Sequence, residues 1–168
     1  MSSMHSKKKF KVIPSSQALN IPSPQSPGSV NSKICRVQGE LVPSYAHPGD
    51  AGADLRSAVA KVIPARGKEL IPTGIRISLP PGHVGLIWPR SGLAVHRGLD
   101  CGAGVVDSEY RGEIKVLIFN HSNEDHLVQQ GDRIAQLLVQ KIEKVGFIKV
   151  DNLDDTPRGR QGFGSTGV

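Results

Sequence analysis

The chain has 168 residues, of which 38% are hydrophobic and 4% aromatic, with 19 glycines and 12 prolines, so we expect one domain of short strands and many turns. Its net charge of +6 is not typical of a nucleic-acid-binding domain, because residues 1–39 hold six Lys and Arg side chains and no acid, whereas the other 15 bases are matched by 15 acids. No apolar run approaches the ~20 residues that cross a bilayer, so we expect a soluble intracellular protein without a membrane partner.

The first 33 residues are rich in Ser, Pro and Lys and poor in bulky apolar side chains. Such a composition buries too little surface to offset chain entropy, which predicts a disordered basic tail over residues 1–33. The cluster of Lys7, Lys8, Lys9 and Lys11 is either a solvated charge run, a nuclear address or a contact with a polyanion. The compartment is therefore predicted as cytoplasm, nucleus or both, and a cellular and a viral source remain equally open.

Short apolar runs punctuated by Gly and Pro follow from residue 34, and they predict a β sandwich or barrel over residues 34–150. Strands are predicted at residues 34–41, 52–55, 59–63, 69–79, 83–89, 104–106, 113–120, 126–129, 133–142 and 146–150. The run 133–142 is ambiguous, because its apolar residues also recur at helical spacing. The two cysteines, Cys35 and Cys101, are too few for a disulfide framework and are interpreted as ordinary thiols.

The last 18 residues, 151–168, form a glycine-rich arm with several Arg, Ser and Thr side chains. By itself this composition fits either a frayed end or a segment that an anionic ligand orders.

The stretch from Gly104 to Gly112 combines main-chain amides, an acid and a ring, which a β-hairpin would offer to one small molecule. Asp107 stands out among the carboxylates beside turns. It follows two valines and precedes Arg111 by four residues, so partial burial and a neighbouring base would tune it for general-base catalysis.

A second candidate is the run 88–98, which is typical of a strand end leading into a short helix capped by Ser91 and closed by Gly98. With Arg90 beside the helix start, this run is either a phosphate-binding site or a simple capped turn. The six histidines have no metal-ligand spacing.

Five segments in this order make the chain resemble the trimeric dUTP diphosphatases, the dUTPase family. The segments are Ala51-Gly52-Ala53-Asp54-Leu55, Pro89-Arg90-Ser91-Gly92-Leu93-Ala94, Gly104 to Gly112, Gly131-Asp132-Arg133-Ile134-Ala135-Gln136-Leu137, and Arg158 to Gly167. Each segment alone is a weak signal. The five together occur in the family's order and span residues 51–167, which leaves little room for coincidence.

The resemblance implies an all-β fold, a jelly roll of the β-clip type that assembles as a homotrimer with active sites shared between subunits. It implies Mg²⁺-dependent hydrolysis of dUTP to dUMP and pyrophosphate, which keeps uracil out of DNA and supplies dUMP for dTMP synthesis. It also implies that the ambiguous run from Ile134 is a strand, and that the C-terminal arm closes over the nucleotide.

The resemblance also implies roles for individual residues. Asp107 would be the general base for a water that attacks the α-phosphorus, and Tyr110 would pack under the deoxyribose. The uracil edge would be read by the backbone of Gly102, Gly104 and Val105. The phosphate chain would be held by Arg90, Ser91, Gly92 and Gln136, and Asp54 would contact Mg²⁺ through water. The arm would supply Arg158, Phe163, Gly164, Ser165 and Thr166. Asp132 and Arg133 would pair structurally.

Two alternatives stand beside this reading. One is a deoxycytidine triphosphate deaminase of the same fold, which would want a catalytic Glu and would lack the closing arm. The other is a regulatory binding protein that uses the trimer surface and the basic tail. Hydrolysis of dUTP requires no nucleic acid, so a contact of the tail with a polyanion would be an additional property.

Overall fold

A computed structural model describes residues 34–160 of the chain. Eleven strands and one helix lie within them. The elements are β1 (Arg36–Gln38), β2 (Ala53–Arg56), β3 (Lys61–Ile63), β4 (Lys68–Pro72), β5 (Arg76–Ser78), β6 (His83–Trp88), α1 (Ser91–Arg97), β7 (Leu99–Gly102), β8 (Val105–Val106), β9 (Lys115–Asn120), β10 (His126–Val128) and β11 (Arg133–Lys141). The predicted all-β class is confirmed.

Strand formation follows from alternating burial. In β9, Val116, Ile118 and Asn120 point inward, while Lys115, Leu117 and Phe119 alternate with them on the outer side. This period of two matches the pleat of a strand that is covered on one face. The inward side chains of the sheets meet in one aliphatic core, which includes Leu55, Ile71, Ile87, Val116 and Leu137.

All strand pairs are antiparallel, and they form four sheets. The largest has the order β2-β11-β6-β8, a three-stranded sheet has the order β4-β9-β7, and β1-β5 and β10-β3 form two-stranded sheets. In the four-stranded sheet, β2 and β8 lie at opposite edges. That placement separates the two halves of the candidate site described below.

The ambiguous run is a strand, β11, which pairs with both β2 and β6. Its register against β2 shifts between Arg133 and Ala135, so Ile134 and Ala135 are both buried in succession. This bulge interrupts the strict alternation and explains why the apolar spacing also fitted a helix.

Two strand predictions need correction, and one strand was missed. The run 69–79 forms parts of two strands, β4 and β5, because the chain turns at Gly74 with φ 69°. The strand β7 was not predicted. The prediction over residues 146–150 is wrong, since the chain between residues 142 and 160 forms no strand and finds no partner to pair with in its own sheets. Within the described residues, no helix is long and apolar enough to cross a membrane.

Candidate active site

The segment Gly104 to Gly112 begins at a corner between two sheets. β7 pairs with β9, whereas β8 pairs with β6, so the chain changes sheets at Ala103 and Gly104. The prediction of a β-hairpin is therefore wrong, because β7 and β8 do not pair with each other. Ala103 has φ 51°, an unfavourable value for a residue with a side chain, and the glycines on either side of it allow the turn. The strained φ was not visible in the sequence.

Two glycines at this corner leave no room for a side chain. A Cβ at Gly104 would lie 2.5 Å from the carbonyl oxygen of Ile87, and one at Gly102 would lie 2.5 Å from Cε2 of Phe119. The Ile87 N–H also donates a 2.8 Å hydrogen bond to the Gly104 carbonyl. The backbone at Gly104 is thus held close to β6 by main-chain contacts, whereas Gly102 lies against the Phe119 ring of β9.

Beside the corner lies a cavity of about 270 Å³. Its lining residues are Leu70, Ile87, Ala103, Val105, Val106, Asp107, Tyr110, Glu113, Ile114 and Lys115. The Tyr110 hydroxyl donates to the Glu113 carbonyl at 3.1 Å, and the backbone N–H of Tyr110 donates to the Asp107 carbonyl at 3.1 Å. These bonds fix the ring as one wall of a cavity lined by both apolar and charged residues, which is suited to a planar ligand with a polar edge.

The carboxylate of Asp107 is exposed at the mouth of this cavity and makes no hydrogen bond or ion pair with any of residues 34–160. The expected partial burial is therefore wrong for a single chain. The expected neighbouring base is also wrong, because the Arg111 guanidinium donates instead to the carbonyls of Ser108 and Tyr110, at 2.7 and 2.8 Å. Asp107 is free to accept a proton from a bound water.

A second cavity, of about 230 Å³, is strongly polar. It is lined by Ala46, Asp50, Ala51, Gly52, Asp54, Arg90, Ser91, Gly92, Arg133 and Gln136. Asp54 is mostly buried and binds two guanidinium groups, with 3.2 Å from Oδ1 to Nε of Arg90 and 3.3 Å from Oδ2 to Nη1 of Arg133. The expected pairing of Asp132 with Arg133 is wrong, because Asp132 accepts the Gln129 N–H at 2.8 Å in a tight turn.

Gln136 lies on β11 between Asp54 of β2 and Trp88 of β6. Its Nε2 donates to the Pro89 carbonyl at 2.9 Å. A Cβ at Gly52 would lie 2.5 Å from its Oε1, so this glycine is required by the close approach of the amide. The first, second and fourth motifs are thereby joined in one pocket.

The helix α1 begins at Ser91, and Arg90 is its N-cap residue. The prediction that Ser91 caps the helix is therefore wrong, since no side chain caps it. Its predicted end is confirmed: Gly98 has φ 65° and its N–H donates to the Ala94 carbonyl. Ser91 and Gly92 are exposed, and their position at the start of the helix presents them to the polar cavity.

The two cavities lie far apart in one chain. Val106 pairs with Gly85, so Asp107 lies beside Val84, six residues before Arg90 along an almost extended segment. At 3.3 Å per residue, this corresponds to roughly 20 Å between the general-base candidate and the arginine pocket. A single copy does not bring Asp107 and Arg90 to one phosphorus atom.

No group of three or more potential metal-ligating side chains occurs within residues 34–160. Both oxygens of Asp54 already face guanidinium groups. The donors among the described residues therefore do not fit a resident metal ion.

Both cysteines have raised pKa values. Burial, with a smaller effect of the Asp100 carboxylate, raises the pKa of Cys101 to about 11, and burial also raises the pKa of Cys35. Raised values favour the protonated thiol, in agreement with their interpretation as ordinary thiols.

The arm is described as far as residue 160, and residues 143–160 are exposed. Arg158 lies in this part. The other residues that the sequence assigns to the closing arm, Phe163, Gly164, Ser165 and Thr166, lie outside the described residues.

Comparison with known proteins agrees with this geometry. A family model described as dUTPase matches residues 40–167. The deoxyuridine 5'-triphosphate nucleotidohydrolase of Arabidopsis thaliana is 52% identical over 128 residues, which cover 76% of this chain and 77% of that protein. The protein of the same name from Corynebacterium glutamicum is 51% identical over 139 residues, 80% of this chain and 93% of that protein.

Among solved structures, the dUTPase of Staphylococcus bacteriophage 80alpha with dUPNHPP is 28% identical and has a TM-score of 0.74. The match covers 80% of this chain and 99% of that chain. The chain belongs to the dUTPase family.

Proposed function

We propose that the protein hydrolyses dUTP to dUMP and pyrophosphate. The observation that carries this proposal is the convergence of four separated sequence segments on two cavities, one beside Asp107 and Tyr110 and one containing Arg90 and Gln136. The first has the shape and lining for a base and sugar, and the second has the charge for phosphates. Relatives that share half of the sequence bear the name of this activity.

In the proposed reaction, Asp107 accepts a proton from a water molecule as its oxygen attacks the α-phosphorus. The bond between that phosphorus and the bridging oxygen to the β-phosphorus breaks, and pyrophosphate leaves with the bonding electron pair. Asp107 then returns its proton to solvent. An exposed carboxylate that has no partner among residues 34–160 suits this role, since no ion pair within that part of the chain has to be broken first.

We propose that the corner at Gly102, Gly104 and Val105 binds uracil through the main chain. Since a Cβ at Gly104 would meet the Ile87 backbone, a glycine there lets the main chain approach a ring edge closely and crowd a 5-methyl group. Tyr110, whose hydroxyl is anchored at Glu113, would lie under the deoxyribose and leave no space for a 2′-hydroxyl. Such a site discriminates by both bonding and crowding.

The polar cavity would hold the phosphate chain through Arg90, Ser91, Gly92 and Gln136. Mg²⁺ would enter as part of the nucleotide complex, coordinated mainly by phosphate oxygens and water, as is usual for this ion. Asp54 would reach that ion only through water. Its direct role in the chain is to orient Arg90.

We propose a homotrimer with shared sites. The separation of roughly 20 Å between Asp107 and Arg90 supports sharing between copies, because a second copy would bring a phosphate pocket to the base. The outer face of the four-stranded sheet supports association. Trp88 and Val105 are 55% and 67% exposed there, and Leu86, which lies opposite both Val105 and Leu138, is partly buried, as is Leu138. Apolar surface of this kind is typical of an interface.

The arm would complete each site, with Arg158 on the γ-phosphate, Phe163 over the uracil and Gly164, Ser165 and Thr166 on the phosphates. We propose the division into tail, catalytic domain and arm at residues 1–33, 34–150 and 151–168. For the tail, we propose a role that is independent of catalysis, as a solvated segment, a nuclear address or a contact with a polyanion.

The deaminase alternative is not favoured, because the matching family model is that of dUTPase and extends through the arm to residue 167. One assay tests the proposed function: pyrophosphate release from dUTP, dTTP, dCTP and UTP in parallel with Mg²⁺. We expect release from dUTP alone. Ammonia release from dCTP, or equal turnover of UTP, would contradict the proposal, and sizing of the same preparation reports the trimer.

A further inference from the structure

We propose that a cleft beneath the helix α1 binds a small monoanion with an apolar body, an aryl or acyl carboxylate, and that this ligand opposes the binding of dUTP. Arg90 and Arg133 line both this cleft and the polar cavity that is proposed for the phosphates. Binding of the anion does not depend on the proposed function, whereas its opposition to dUTP rests on it.

The cleft has a volume of about 330 Å³, within the range of about 300–1,000 Å³ that small-molecule sites have. Its deep side chains are 3% exposed or less and belong to the core: Leu99, Ile118, Val128 and Ile134. Above them lies α1, of which no residue is buried. Because protein interiors are close-packed, the helix covers a space that the core does not fill.

The rim of the cleft carries Arg97 and His126. Leu93 and Arg97 are one turn apart on the same face of α1, and His126 shares the inner face of β10 with Val128. The Arg97 guanidinium forms no hydrogen bond or ion pair with any of residues 34–160. It lies close enough to His126 to add to the effect of burial in lowering the pKa of that imidazole. Arg97 is therefore a cation without a bonded anion beside an apolar floor.

The charges around the cleft are balanced by one anion. Three guanidinium groups line it, those of Arg90, Arg97 and Arg133. Asp132 is the one acid that lines it among the described residues, and Asp54 neutralises a further charge by binding Arg90 and Arg133. Three cations against two carboxylates leave one positive charge, so a monoanion makes the site neutral. Its contact with a guanidinium group is charge-assisted and hence strong.

The floor determines the body of the ligand. The deep side chains are all aliphatic and offer no hydrogen-bonding group. A nucleobase buried there would leave the polar groups of its edge without partners, which is costly. An aryl ring or a short acyl chain buries only apolar surface and is stabilised by it. The class of ligand is therefore an aryl or acyl carboxylate, and a second nucleotide does not fit.

The two shared arginines couple the cleft to the phosphate cavity. Asp54 binds Arg90 at 3.2 Å and Arg133 at 3.3 Å, and the Arg133 side chain is 43% exposed. An anion in the cleft competes with Asp54 for both guanidinium groups and turns Arg90 away from the phosphates. The anion and dUTP therefore weaken each other's binding, by the same factor whichever binds first.

Fluorescence titration of the full-length protein with anilinonaphthalene sulfonate, an aryl monoanion, tests the site. Arg97→Gln should raise the Kd of this dye at least ~10-fold, as expected for loss of a hydrogen bond to a charged group. Leu93→Trp fills the cleft, keeps its charges and should weaken binding as well. Arg36→Gln alters an arginine of β1 and is the matched control, with an expected Kd within about twofold of wild type. An unchanged Kd for Arg97→Gln would overturn the inference, because the dye would then bind elsewhere.

Histidine NMR locates the ligand without a dye. Benzoate and octanoate, the aryl and the acyl probe, should shift the imidazole resonances of His126 and leave those of the exposed His47 unchanged. The probe with the lower midpoint identifies the body that the cleft prefers. Acetate has the charge without the body and should need at least ~10-fold higher concentrations, since it buries fewer carbon atoms. Equal midpoints for all three anions would overturn the inference.

A non-hydrolysable dUTP analogue tests the coupling. Saturating analogue should raise the Kd of benzoate or octanoate, and the anion should raise the Kd of the analogue by the same factor. Without any anion, Arg97→Gln should keep kcat and KM for dUTP within about twofold of wild type, since Arg97 does not line the phosphate cavity. No change in either Kd would overturn the opposition to dUTP. If wild type releases no pyrophosphate from dUTP while the dye and NMR titrations behave as expected, the proposed function fails and the anion site stands.

Discussion

The carboxylate of Asp54 holds the guanidinium group of Arg90 at 3.2 Å, across the edge of the four-stranded sheet. The same carboxylate binds Arg133, whose position on β11 fixes it relative to the sheet. Asp54 thus orients, from the adjacent strand β2, the arginine that is proposed to bind phosphate.

Replacing Asp54 with Asn should raise the KM for dUTP about tenfold, since it removes a charge-assisted contact that orients Arg90. Steady-state kinetics with dUTP measures the change. Asp132→Asn is the matched control, because Asp132 accepts only a main-chain N–H and should leave KM within about twofold of wild type. Equal effects of the two substitutions would contradict the role of Asp54.

Replacing Asp107 with Asn should lower kcat at least ~100-fold, the low end for loss of a general base, while dUTP still binds. Single-turnover pyrophosphate release and equilibrium binding of a non-hydrolysable dUTP analogue separate the two effects. Glu109→Gln changes an exposed acid of the same segment and should retain turnover. Near-wild-type activity of the Asn variant would refute the role of Asp107.

Replacing Gly104 with Ala should raise the KM for dUTP by at least ~10-fold, because the added Cβ would meet the Ile87 carbonyl at 2.5 Å and displace the corner that is proposed to bind uracil. The displacement should also weaken the contact between β8 and β6, visible as a lower Tm. Gly49→Ala is the control, since nothing lies within 4 Å of that position. A variant with unchanged KM would show that the corner does not contact the base.

The parts of the fold that could be predicted are those with regular burial. The alternation in β9 and the glycines and prolines between strands indicated an all-β domain of short strands, and the position of Asp54, Arg90 and Gln136 in one pocket agrees with the motif pattern. The pairing of strands was not accessible, because partners distant in sequence decide it. For this reason the segment at Gly104 was expected as a hairpin, although it joins two sheets.

The hydrogen-bond and ion-pair partners of side chains could not be predicted from the sequence either. The nearest base to Asp107 in the sequence, Arg111, is held by carbonyls of its own turn, and the partner of Arg133 is 79 residues away at Asp54. Neighbouring residues on a strand or turn point in different directions, so closeness in sequence does not predict an ion pair.

Deleting residues 158–168 should lower kcat/KM for dUTP at least ~100-fold, because Arg158 and the residues after it are proposed to close the site against water. The trimer should persist, since the strands end at Lys141 and the deleted residues lie beyond them. Size-exclusion chromatography with light scattering measures the assembly beside the kinetics. Dissociation into monomers would contradict the proposed role of the arm. Deleting residues 1–33 is the control, which should leave turnover nearly unchanged.

Acidification should destabilise the fold through His126, whose pKa is lowered from 6.5 by partial burial and by the Arg97 guanidinium, against a smaller opposite effect of Asp132. Above pH 6.5 the imidazole is neutral in both the folded and the unfolded chain. As the pH falls below 6.5, the unfolded chain takes up a proton first, so stability is lost on the way down to the lowered pKa. The Tm of His126→Gln, measured by calorimetry, should therefore fall less than the Tm of wild type between pH 7.5 and pH 5.5. His47→Gln alters an exposed histidine and should follow wild type, and identical losses in all three proteins would rule out this linkage.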